Sequence, residues 1–171
     1  PEYGRAWQEA GHLARATGDT EQAVDAYGRA VRFNPALAAS WRAQAKLLEA
    51  AGRMGEATTA RNQERRLLAL PKELIAVTHH LHEGRPLRAE EICRHFLRRN
   101  PKHVEAMRLL AQIGLRLGIL NDAEFLLESA AAFEPDNIQV RLDYIDVLRK
   151  RQKFAHSCEE AEALYQRDPD S

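Results

Sequence analysis

His79, His80 and His82 form the densest cluster of chemically capable side chains in the sequence. On a helix, His79 and His82 share a face at i, i+3, a spacing that can clamp a metal ion. A closed site needs two more ligands, and Glu83 and His95 are the only nearby candidates. The set lacks a recognised zinc spacing, so the residues read as ordinary helix side chains: His80 packed and hydrogen-bonded in a core slot, His82 directed into a surface groove. Cys93 and Cys158 have no CxxC partner and fall on core-facing helix positions. They read as two small buried thiols of a chain kept in a reducing compartment, the cytoplasm. No glycine-rich phosphate loop, GxSxG elbow or HExxH pair occurs. The sequence therefore assigns no catalytic, cofactor-binding or metal-binding residue, and this chain is expected to be no enzyme on its own.

Composition narrows the partners. Basic and acidic side chains balance at 25 each, so the basic footprint of a phosphate-binding surface is absent. Arg5, Arg15, Arg42 and Lys46 could touch phosphates, but the groove offers no aromatic platform for bases, so no nucleic-acid partner is expected. No apolar run reaches the ~20 residues that cross a bilayer, so no membrane partner is expected either. Ala, Leu, Glu and Arg dominate, all of them residues that lose little side-chain entropy in a helix.

The elements that position these side chains follow a beat. Gly18, Gly52, Gly84, Gly118 and the slot at Gln152 fall 34, 32, 34 and 34 residues apart, and Pro35, Pro101, Pro135 and Pro169 keep the same time. Trp7, Ala10, Gly11 and Ala14 form the stripe of an amphipathic helix. Gly18 ends it, Asp19 or Thr20 caps the next, and Asn34-Pro35 stops that one. The run W-x2-A-G…G-D-x3-A-x3-Y-x2-A-x4-P from Trp7 to Pro35 resembles a tetratricopeptide repeat, which has this period. The resemblance implies an all-α fold, a right-handed superhelix (α-solenoid) of about five helix-turn-helix repeats. It divides the chain at about 4–37, 38–69, 70–103, 104–137 and 138–171, within a single array over 1–171.

Small residues at the eighth and twentieth positions of each unit would let paired helices approach, with large residues filling the space between. Repeat two departs from this pattern. Arg61 and Glu64 stand where repeat one has Tyr and Ala, and the unit is two residues short. A locally shifted or looser second helix is expected there, with a bend in the superhelix just beyond it. Repeat five is degenerate too, with Gln152 in the glycine slot. The sequence begins at Pro1 and stops after Asp168-Pro169, where a next repeat would start. The expectation is a fragment of a longer chain with its last face, around Phe154, Cys158 and Tyr165, uncapped.

First helices of such repeats line the concave face. The candidate partner-binding groove is Arg42, Lys46, Leu74, Thr78, His82, Arg108, Leu109, Gln112, Leu115 and Arg149, apolar in the middle and charged at its flanks. The alternative for Leu74 is packing against a neighbouring helix. The lysine and asparagine slots of repeats that hold a terminal carboxylate are filled here by Gln8, His12, Ala43, Pro71 and Ile75, so that clamp is excluded.

Leu70 to Leu117, with EFLLESAAAFEPDN and RLDYIDVLRK beyond it, is similar to the repeat half of bacterial proteins whose C-terminal half is a sulfotransferase. The resemblance implies an accessory N-terminal region; no donor-binding loop or catalytic base of that family is present. The expected function is capture of a protein or peptide segment in the concave groove. The alternative is a structural scaffold that self-associates, as a homodimer, through its uncapped ends.

Overall fold

The computed structural model describes residues 3–167, in which every regular element is an α-helix. In chain order these are α1 (Gly4–Ala16), α2 (Thr20–Phe33), α3 (Ala38–Ala50), α4 (Met54–Leu68), α5 (Lys72–His82), α6 (Pro86–Arg99), α7 (Val104–Leu117), α8 (Leu120–Phe133), α9 (Ile138–Lys150) and α10 (Phe154–Arg167). The all-α helix-turn-helix architecture is therefore as expected. The terminator Pro169 lies outside the described residues.

The turns explain the beat. Gly18, Gly52, Gly84 and Gly118 all have φ between +72° and +82°, the left-handed conformation that reverses the chain after a first helix. Gln152 takes the same conformation at φ +60°, although it carries a side chain. An L-residue held there costs about 1–2 kcal/mol, part of which glycine recovers. Gln152→Gly should therefore stabilise the protein by roughly 0.5–1 kcal/mol, read as a higher urea midpoint. Capping follows the sequence as well. The Gln22 N–H donates to the Asp19 carboxylate at 3.0 Å, and the Val140 N–H donates to the Asn137 side chain at 3.2 Å.

The chain forms two compact units, Pro1–Ala89 and Glu90–Ser171, with the division falling inside α6. In the first, Tyr27 of α2 is fully buried with Ala14 and Ala23, and Ala43 and Leu47 of α3 close over them. A Cβ on Gly11 would sit 2.8 Å from the Tyr27 ring, so the eighth-position glycine is what admits the ring. In the second unit, Leu127 of α8 occupies the slot equivalent to Tyr27. It packs with Ala111 and Ala123, and is covered by Tyr144, Val147 and Leu148 of α9.

The same unit buries Glu124, which accepts from Lys153 Nζ at 2.7 Å and from the Arg151 guanidinium. Burial would raise that carboxyl, but its two cationic partners outweigh it and hold it below the usual range. Cys93 is buried, its Sγ donating to the Ala106 carbonyl at 3.2 Å, and burial pushes the thiol up to about 12. Cys158 is exposed, contrary to the expectation of two buried thiols. Its helix α10 buries only Ser157 fully, and Phe154 and Tyr165 beside it are 61% and 67% exposed. The reason is that no described helix follows α10 to cover that face.

Repeat two holds the larger departure. Its second helix, α4, is neither broken nor frayed: it runs continuously for 15 residues and buries Ala57, Ala60 and Leu67. What changes is the filling. Arg61 occupies the Tyr27-equivalent slot but points outward, paired with Glu49 at 2.5 Å. Glu64 pairs with Arg42 of α3 at 2.7 Å. Where repeat one has an aromatic core, repeat two has two ion pairs.

Candidate partner-binding site

Within the first unit, α5 is tied to the end of α2. The fully buried Asn34 accepts from the Ala36 N–H at 3.1 Å, which fixes the orientation of its amide. Its Nδ2 then donates to the Glu83 carboxylate at 2.8 Å and to His79 Nδ1 at 3.0 Å. Arg5 of α1 stands 3.3 Å from His79 Nε2. His79 is thus held by the end of α2, with the Arg5 guanidinium of α1 standing close to its other nitrogen. His80, expected in a hydrogen-bonded core slot, is half-buried, and its Nδ1 has no partner.

This placement decides what the candidate groove residues of the first unit can do. Leu74 is fully buried, with Val77 and Leu81 on the same stripe. Its side chain is not on a surface a ligand can reach, and the contacts to Asn34 are made by His79 and Glu83 from the other side of α5. Thr78 is half-buried and donates to the Leu74 carbonyl at 3.0 Å; His82 is half-buried at the C-terminal end of α5. Arg42 and Lys46 are exposed on α3, one helical turn apart.

In the second unit, Leu109 is buried and Leu115 packs against the α7–α8–α9 core, so neither presents an open apolar face. Arg108 is held by Glu105 through two bonds of 2.8 and 2.9 Å and by Asp143 at 3.0 Å. Burial would lower this guanidinium, but the carboxylates of Glu105 and Asp143 raise it above its ordinary value. Gln112 also donates to Asp143, at 3.3 Å, and only Arg149 of the set stands exposed. The polar groups expected to face a partner here are largely spent on one another.

The first unit keeps an open site. A surface cavity of about 630 Å³ lies between α3 and α4, lined by Arg42, Ala45, Lys46, Arg61, Glu64, Arg65, Leu68 and Ala69. Four cations face one acid across a floor of alanine and leucine. A larger cavity of about 890 Å³ in the same unit carries three acids and three arginines, among them the pairs Arg29–Asp25 and Arg53–Glu56, so its charge is balanced internally. Arg61, Arg65 and Leu68 were not among the sequence candidates. The signal that could have found them was the departure of repeat two itself, which removes the core residues that fill this space in repeat one.

Comparison with known proteins agrees with this architecture. Two family models described as tetratricopeptide repeat match residues 4–37 and 80–142, leaving out α3, α4, nearly all of α5, most of α9 and all of α10. No curated protein matches the sequence. Among solved structures, YrrB, described as a TPR protein with an unusual peptide-binding site, is 13% identical with a TM-score of 0.53, over 99% of this chain and 88% of that one. TTC0263, a thermophilic TPR protein of Thermus thermophilus, is 15% identical with a TM-score of 0.55, over 98% of this chain and 93% of that one. MamA from Desulfovibrio magneticus RS-1 is 14% identical with a TM-score of 0.52, over 98% and 97%. At such identities the likeness is one of fold. The two matched segments together span more than half of the sequence, and the chain belongs to the tetratricopeptide-repeat family.

Proposed function

We propose that this chain is a protein–protein interaction module whose first unit captures a peptide or protein segment at the α3–α4 cavity. Tetratricopeptide repeats generally serve protein interaction as non-catalytic scaffolds, and a structural neighbour is described by its peptide-binding site. The observation that carries the reading is the cavity itself: concave, with exposed cations over an apolar floor, whereas among the other candidate residues only Arg149 stands exposed. No helix of the described residues is long and apolar enough to cross a membrane.

A random peptide library displayed on phage and selected on the immobilised chain should yield a consensus that is lost with Arg42→Ala/Lys46→Ala. Selection with no consensus would overturn the reading. Thr78, His82 and Arg149 stay in the proposal as surface that a longer segment could touch. The resemblance of residues 70–117 extends the reading: the module serves as the accessory region of a larger bacterial, cytoplasmic protein with a C-terminal sulfotransferase domain, presenting protein substrates to it. The open reading frame downstream of Ser171 tests that extension, and a stop codon shortly after it would remove it.

A second reading, self-association, is favoured by the exposed Phe154, Cys158 and Tyr165 on α10. Light scattering that shows a monomer at every concentration would dispose of it.

A further inference from the structure

We propose that the α3–α4 cavity is a receptor for an acidic segment with interspersed apolar side chains, and that Glu64 is its built-in competitor. The inference rests on the interaction-module reading and names the chemistry of the partner. Arg42 and Lys46 stand at i, i+4 on α3, and Arg61 and Arg65 at i, i+4 on α4, so two ladders of like charge face the same cavity. Like charges at this spacing destabilise a helix by roughly 0.2–0.5 kcal/mol per pair. The fold offsets only part of that cost. Arg42 holds Glu64, Arg61 holds Glu49, and Arg65 donates to the neutral Asn62 at 3.3 Å. Among the described residues no hydrogen bond or ion pair is made by the Lys46 ammonium. An anionic ligand would supply the missing charge, and Leu68, Ala45 and Ala69 give an apolar side chain somewhere to rest.

Glu64 already imitates such a ligand. Its side chain is only 15% exposed and sits inside the cavity, while Arg42, at 57%, lies half in solvent and is free to turn to another carboxylate. An incoming acidic group exchanges one Arg42–carboxylate pair for another and adds contacts to Lys46 and Arg65. A peptide is favoured over a nucleic acid because no aromatic side chain lines the cavity to stack a base.

The probe is a short fluorescein-labelled peptide of glutamate pairs separated by single leucines, followed by anisotropy on the whole chain. It should bind, weaken as salt rises, and be ignored when lysine replaces glutamate. Lys46→Ala/Arg65→Ala should weaken binding roughly tenfold, and Glu64→Gln should tighten it roughly threefold, because Arg42 is released. Circular dichroism should show that each variant keeps its helix content. Equal binding of the glutamate and lysine peptides, or no gain with Glu64→Gln, overturns the inference. So does displacement of the peptide by oligouridylate or inorganic phosphate as effectively as by unlabelled peptide. If the phage library yields a neutral or basic consensus, the interaction module stands and the acidic receptor falls. If it yields none, the module itself fails.

Discussion

Leu74→Ala is expected to destabilise the first unit by about 2–5 kcal/mol, the range for deleting a buried leucine side chain. Leu74 is fully buried, and Val77 and Leu81 continue its stripe at i+3 and i+7. Helix α5 has only 11 residues, too few for an isolated helix to persist in water, so packing of this stripe holds it. Urea denaturation followed by circular dichroism should show a large fall in midpoint. Lys46→Ala, on the exposed side of α3, should stay within about 0.5 kcal/mol of the parent. The contrast separates the two roles. If Leu74 faced a ligand, its truncation would spare stability and remove binding, whereas here binding should fail only where the unit unfolds.

Asn34→Ala is expected to cost about 1–3 kcal/mol, because it strips a partner from the Ala36 N–H, Glu83 and His79 together. It should also change how stability responds to pH. The fixed Asn34 amide presents an N–H to His79 Nδ1, so the neutral ring carries its proton on Nε2, and protonating Nδ1 breaks the contact. Burial pushes the His79 value below its ordinary level. Arg5 adds to this, Glu83 opposes it, and His80 and Arg85 lower it further. The unfolded chain titrates its histidine near the ordinary ~6.5. Below that pH the unfolded state binds more protons than the folded one, so the first unit should be fully stable above about 6.5 and lose stability as pH falls through and below it. Without Asn34, Nδ1 is free to accept a proton and the slope should flatten. Urea midpoints of the parent and Asn34→Ala, taken on both sides of that pH, check this. A parent midpoint that rises on acidification would refute the assignment of His79 as a neutral acceptor.

Much of the fold was legible because its information is local. The turn slots from Gly18 to Gln152 all take the left-handed conformation, including the one that is not glycine, since the helices on either side demand the same chain reversal. Asp19 caps as its type suggests, and Gly11 and Ala23 bring α1 and α2 together around Tyr27. The site was less legible. Helical periodicity says that Leu74 and Leu109 lie on one face of their helices, but not what covers that face. For Leu74 the answer is burial in the tertiary packing, and the contacts of α5 to Asn34 join residues 45 and 49 positions apart, which no local pattern carries. Arg108 looked available because a sequence does not reveal that Asp143, 35 residues on, returns to neutralise it.

The sequence by itself determined the alternation of helix and turn and the identity of the repeat, because backbone conformation and close helix approach are set by single residues and their spacing. It also marked repeat two as aberrant. Only the tertiary structure decided what that aberration means. With Arg61 and Glu64 in place of a core, α3 and α4 remain well formed yet leave a cation-lined space between them. The physical reason is that charged side chains at core slots turn outward to keep their hydration and their partners, and where they turn depends on which neighbour the rest of the unit places beside them.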